Sequence, residues 1–193
     1  MTDANQPHLQ VVDWSKLPIP EDDGGASHLP ETTLPNIELK ATDGNLLALS
    51  ELEGTSVVFA YPMTGRPDIL LPDGWDFIPG ARGCTPQACT FRDLQQELQS
   101  AGADHLFGLS TQSTGYQREA AERLHLPFKL LSDEDGRFRK ALNLPSMDVE
   151  GQTLLKRLTL IITNGQISKV FYPVFPPDRN AKDVLDWLIE NSQ

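Results

Sequence analysis

The stretch that decides the reading of this chain is Pro79-Gly80-Ala81-Arg82-Gly83-Cys84-Thr85-Pro86-Gln87-Ala88-Cys89-Thr90-Phe91-Arg92-Asp93. Its first third is a glycine-rich loop. The rest turns helical: Ala88, Phe91, Leu94 and Leu98 recur at three- and four-residue spacing, which predicts one helix over residues 85–99, with Gly102 as its stop. Cys84 stands at the junction. Pro86 suits a first helical turn, because the N–H groups there have no intrahelical partner. A thiolate at that point meets free backbone donors and the positive end of the helix dipole, and both favour the anion. Arg82 and Arg92 add positive charge nearby.

A cysteine ahead of a helix can equally pack as a small, inert hydrophobe. The second cysteine weighs against that reading. In an intact helix, residues five apart are separated by about 8–9 Å and point about 140° apart. A disulfide needs Cα atoms within roughly 7 Å. If Cys84 and Cys89 bridge, the first turns of the helix must melt, giving a wound state and an unwound state.

Upstream, Ser56 to Tyr61 is a short continuous apolar run, as expected of a strand buried on both faces. It leads into a long loop, Pro62 to Gly83, punctuated by Pro62, Pro67, Pro72 and Pro79 and by Gly65, Gly74, Gly80 and Gly83. A loop of that length in a compact domain is usually functional or disordered. Within it, Trp75 and Phe77 read as covers for the core rather than as the lining of an entrance. Farther upstream, Ile37–Leu39 and Leu46–Leu49 flank Asp43-Gly44, a hairpin signal. Residues 1–33 read as an irregular arm, pinned by Trp14, Leu17 and Ile19, and residues 34–193 as one domain.

Downstream the pattern predicts a strand at His105–Ser110, a helix at Thr114–Leu124, a strand at Phe128–Leu131 and a short helix at Gly136–Leu142. Asp133-Glu134-Asp135 reads as a solvated, acidic start to that short helix. Arg157–Ile162 and Gln166–Tyr172 are strands joined by Asn164-Gly165. Asn180 or Asp178 can cap a last helix whose inner face is Val184, Leu185, Leu188 and Ile189. Strands alternating with helices predict a parallel centre, and the closing hairpin adds antiparallel strands. The expected fold is α/β and thioredoxin-like: a central mixed β-sheet flanked by helices, with an N-terminal hairpin and an extended arm.

The composition narrows the function. The chain has 193 residues and a net charge of -11, with no basic cluster, so nucleic acid is not an expected partner. No signal segment and no apolar run long enough to span a bilayer is read, so the expectation is a cytoplasmic protein with no membrane partner. Two cysteines are too few for a thiolate zinc site, and His8, His28, His105 and His125 all lie far from them in sequence. No metal or other cofactor is expected.

The chain resembles the peroxiredoxins of the bacterioferritin comigratory protein type, also called the Q type. The resemblance rests on Tyr61-Pro62 at a strand end, Cys84-Thr85-Pro86-Gln87-Ala88-Cys89, Ser110-Thr111, Leu130-Leu131-Ser132-Asp133, and Leu158–Ile162 followed by Asn164-Gly165. It covers residues 34–189. It implies that Cys84 is the peroxidatic nucleophile and Cys89 the resolving thiol. It also implies that Pro62 shields the thiolate and that Arg157 steadies it, where the bland alternative is a surface arginine like Lys156. One departure stands out. The family threonine falls on Ala81, which has no hydroxyl; Thr64 is the candidate substitute, and Thr85 a weaker one.

The implied activity is reduction of hydrogen peroxide or organic hydroperoxides by a monomer, with a thioredoxin- or glutaredoxin-like reductant restoring the thiols. Two competing readings are a protein thiol-disulfide oxidoreductase, which expects cysteines two residues apart, and a redox-regulated binding protein that uses the pair only as a switch.

Overall fold

The computed structural model describes residues 12–191; His8 and the first third of the arm lie outside the described residues. The apolar run after residue 54 forms β3 (Thr55–Ala60), buried along nearly its whole length as its lack of alternation requires. β3 pairs in parallel with β4 (His105–Ser110), and β4 in parallel with β5 (Lys129–Ser132). On its other side β3 runs antiparallel to β8 (Leu158–Thr163), which folds back through Asn164-Gly165 into β9 (Gln166–Phe171). The hairpin of β1 (Glu38–Ala41) and β2 (Leu46–Ala48) closes the opposite edge. The sheet order is β2-β1-β5-β4-β3-β8-β9, a parallel centre with antiparallel flanks, as the element order predicts.

Side chains along β3 alternate between two cores. Val58 and Ala60 face Leu39, Leu131, Phe138 and Leu160. Val57, Phe59 and Tyr61 face the layer that holds α1 (Cys84–Asp93), α2 (Gln95–Ser100) and α5 (Asn180–Asn191). There Phe59 stacks on Phe91 with ring centroids 4.4 Å apart. α3 (Thr114–Arg123) packs over β5, and α4 (Arg137–Leu142) brings Phe138 into the first core.

Three expectations are corrected, and one element appears that the sequence reading did not foresee. The single helix of residues 85–99 is two helices, broken at Leu94, where φ is -101° and ψ is 11°. A second hairpin, β6 (Ser146–Val149) and β7 (Gln152–Leu155), was not anticipated; its strands are short and mostly solvated, and its turn is Glu150-Gly151 rather than Asn-Gly. Asp133 is 1% exposed rather than solvated, because its carboxylate accepts the N–H groups of Phe138 and Arg139 at the start of α4. Phe77 is 84% exposed, so of the two loop aromatics only Trp75 covers apolar surface.

The arm is stitched to the sheet. Ala26, Leu29 and Leu34 are buried in the first core, and Glu31, Thr32 and Leu34 exchange backbone hydrogen bonds with Gly165 and Ile167. Among the described residues no helix is long and apolar enough to cross a membrane.

Candidate active site

β3 carries the chain to Tyr61 and Pro62, both buried, and the loop from Met63 returns it to α1 through Gly80–Gly83. Gly83 is the hinge of that return. Its φ is 108°, and a Cβ there would lie 2.6 Å from Pro177 Cγ and 2.9 Å from Trp14 Cη2. Only glycine fits both the backbone and the space. Cys84 is therefore placed as the first residue of α1, 4% exposed.

Arg157, immediately ahead of β8, is 3% exposed and lies over the sulfur, with Nη2 3.3 Å from Cys84 Sγ. The same Nη2 is shared with the carbonyls of Gly80, Ala81 and Arg82, each 3.2 Å away. Nη1 donates to Gln87 Oε1. These acceptors offset the desolvation of a buried guanidinium, which is otherwise costly. Ala81 has no hydroxyl, but its carbonyl oxygen touches both Arg157 and Cys84 Sγ, the latter at 3.6 Å.

The arginine is itself held from behind. Gln87 is fully buried, and its Nε2 donates to Asn180 Oδ1 at 2.9 Å, which also accepts the Thr159 hydroxyl at 2.7 Å. The line from Thr159 through Asn180 and Gln87 to Arg157 ties β8, α5 and α1 to the sulfur. Sequence reading passed over Gln87 and took Asn180 only as a cap. The signal was present: Cys84, Gln87, Ala88 and Phe91 form the apolar stripe of α1, and an amide on such a stripe needs a buried partner.

Other candidates sit elsewhere. Arg82 is paired with Asp76 and Arg92 with Asp93, so neither of them is the cation on Cys84. The Thr64 hydroxyl donates to Gln112 Oε1 at 3.2 Å and makes no hydrogen bond to Cys84. Gln112 also grips the Thr64 backbone N–H and C=O, fixing the start of the loop. Thr85, by contrast, lines the cleft over Cys84, together with Met63, Leu71, Trp75 and Pro86.

Cys89 lies one and a half turns along α1, 5% exposed within the second core. Burial pushes its thiol up, with Arg92 opposing and Asp93 adding to the effect. Both cysteines are free thiols. Among the described residues no three His, Cys, Asp or Glu side chains converge as a metal site would require.

Residues 29–185 match the Redoxin family. Peroxiredoxin Q, chloroplastic, of Sedum lineare is 34% identical over 159 residues, covering 81% of this chain and 76% of that protein. Its counterpart in Oryza sativa subsp. japonica is 33% identical over 156 residues, and the chain spans 64% of that relative's length. The crystal structure of peroxidoxin BcpB from Mycobacterium tuberculosis superimposes with a TM-score of 0.70 at 27% identity, covering 86% of this chain and all of that one. Peroxiredoxin Q of Xanthomonas campestris has the same fold, with a TM-score of 0.64 at 22% identity over 86% of this chain and 96% of that one.

Proposed function

The chain belongs to the Redoxin family, in its peroxiredoxin Q branch, and from that premise we propose that it is a thiol peroxidase in which Cys84 is the nucleophile and Cys89 the resolving thiol. The observation that carries the reading is the Arg157 guanidinium, buried and 3.3 Å from Cys84 Sγ. A buried cation in contact with one sulfur is placed to stabilise the charge that passes to the leaving oxygen in the transition state.

In the proposed cycle the Cys84 thiolate attacks one peroxide oxygen and the O–O bond breaks. The other oxygen takes a proton and leaves as water or an alcohol, and Cys84 becomes a sulfenic acid. Arg157 steadies the charge, and Pro62 keeps bulk water from the sulfur. Thr85, in the cleft wall, is the better placed hydroxyl; Thr64 acts through Gln112 on the loop. Residues of α1 then unwind, Cys89 sulfur attacks Cys84 sulfur, and water departs as the disulfide forms. A thioredoxin- or glutaredoxin-like dithiol returns both thiols by exchange.

Because both thiols belong to one helix, the cycle needs no second copy of the chain, and the proposed working unit is a monomer. Hydrogen peroxide and organic hydroperoxides are the proposed substrates, in a cytoplasmic setting that supplies the dithiol.

The test is stopped-flow mixing of the reduced protein with hydrogen peroxide, followed by tryptophan fluorescence and mass analysis, with Cys84→Ser and Cys89→Ser alongside. The expected result is reaction far faster than a free thiol, ending in a Cys84–Cys89 disulfide. Cys84→Ser is inert, and Cys89→Ser stops at the sulfenic acid. Wild-type protein reacting no faster than free cysteine overturns the enzyme reading and leaves a redox switch in its place.

A further inference from the structure

We propose that Trp14 is a positioning residue for the cysteine pair: it clamps the first turn of α1 in its wound form and so sets how fast the disulfide closes after Cys84 has reacted. The inference rests on the thiol-peroxidase reading and extends it to Trp14, a residue of the arm that lies ahead of the segment matching the family, residues 29–185.

Gly83 is packed against two rings. The Trp14 ring and Pro177 both lie against the face of Gly83 where a Cβ would stand, near enough that a single added Cβ would collide with both. Trp14 is not loosely placed. Its Nε1 donates to Asp178 Oδ2 at 2.8 Å, and its ring meets Phe175 edge to face with centroids 6.2 Å apart. Gly83 in turn supplies the carbonyl that accepts the Gln87 N–H at 3.0 Å, a bond of the first turn of α1. Unwinding α1 breaks that bond and moves Gly83, and any such movement disturbs its packing against Trp14 and Pro177.

The arm is anchored again farther on. Asp23 accepts from Lys156 Nζ at 2.6 Å and from the Tyr172 hydroxyl at 2.7 Å, and Pro20 lies against Gly80. Both anchors belong to the body of the protein and not to α1. A strap fixed on either side of the loop at residues 80–83 stays put while the helix tries to unwind, so it resists that motion rather than following it.

The chemical consequence is a competition. The Cys84 sulfenic acid either condenses with Cys89, forming the S–S bond and releasing the sulfenic oxygen as water, or meets a second peroxide and becomes a sulfinic acid while that peroxide is reduced to water or alcohol. A clamp that slows the first route lengthens the life of the sulfenic acid and favours the second at high peroxide.

The experiment compares wild type with Trp14→Ala and, independently, Asp178→Ala, which leaves the ring but removes its anchor. Hydrogen peroxide is mixed at rising concentration, and the rates of sulfenic acid formation and disulfide closure are resolved separately. Closure is expected to accelerate about threefold to tenfold, the scale of one lost aromatic contact, with the sulfinic fraction falling and sulfenic acid formation changing by less than about twofold. In the reduced protein, amide hydrogen exchange at residues 87–89 rises in both variants.

Closure that is unchanged, or that falls in step with sulfenic acid formation, overturns the clamp, since lost packing alone would slow both. Unchanged exchange in Trp14→Ala overturns it whatever peroxide does. Wild-type protein unreactive toward peroxide, with exchange raised in the variants, overturns the peroxidase reading and leaves the clamp standing.

Discussion

Cys84 and Cys89 share one helix and the same depth, 4% and 5% exposed, yet they meet different surroundings. Cys84 faces a guanidinium and a loop carbonyl. Cys89 faces the aromatic and aliphatic side chains of the second core, and burial pushes its thiol up. Depth of burial does not separate these two thiols. What lies in contact with each sulfur does, and at Cys84 the guanidinium comes from Arg157, immediately ahead of β8 and far from either cysteine in sequence.

The comparison breaks most sharply at Arg157. Arg157→Met is expected to slow sulfenic acid formation by about a hundredfold or more, the scale of removing one transition-state donor. Arg157→Lys recovers little, because an ammonium cannot serve the sulfur, Gln87 and three carbonyls at once. If Arg157→Met reacts at the wild-type rate, the two thiols do not differ for the reason given.

Gln87→Leu sharpens the same point at one remove. It frees the guanidinium from Asn180 without touching the sulfur, and a loss of about tenfold in the same rate is expected. Gly83→Ala tests the placement of Cys84 rather than its chemistry. Strain at positive φ and two collisions should lower unfolding free energy by about 1–3 kcal/mol, read from urea denaturation.

The smallest effect lies on the Cys89 side. In Cys84→Ser, the pH midpoint for alkylation of Cys89 should fall above that of an unfolded thiol, because burial raises it. The sign for stability follows. A thiol whose folded pKa is raised favours the folded state below the unfolded pKa, and that contribution is lost as pH rises through the folded value. Cys89→Ser should therefore flatten the decline in stability at alkaline pH, and an unchanged decline would count against the raised thiol.

Much of the fold was legible because its signals are local. Asn164-Gly165 marks a hairpin, an unalternating apolar run marks the buried β3, and the spacing of Ala88, Phe91 and Leu98 marks the helical layer. The hairpin of β6 and β7 was not legible, since its short strands carry few buried side chains and its turn is Glu150-Gly151. The break at Leu94 was equally hidden, because the apolar spacing runs through it without a change of phase.

In the site, sequence placed Cys84 at the start of a helix and singled out Arg157. It chose Thr64 for the missing hydroxyl, whereas the fold turns that hydroxyl to Gln112. It read Arg82 and Arg92 as positive charge near the sulfur, and each is paired with an aspartate, Asp76 and Asp93.

By itself, then, the sequence determined the order of strands and helices apart from β6, β7 and the break at Leu94, the loop-to-helix position of Cys84 and the geometric conflict between its spacing from Cys89 and an intact helix. These depend on periodicity and on residues a few positions apart. Tertiary structure alone decided that Arg82 pairs with Asp76, that Gln87 and Asn180 stand behind Arg157, and that Trp14 presses on Gly83. The contacts behind Arg157 and on Gly83 join residues 69 or more positions apart, and their partners are chosen by the packing of β8, α5 and the arm around one buried turn.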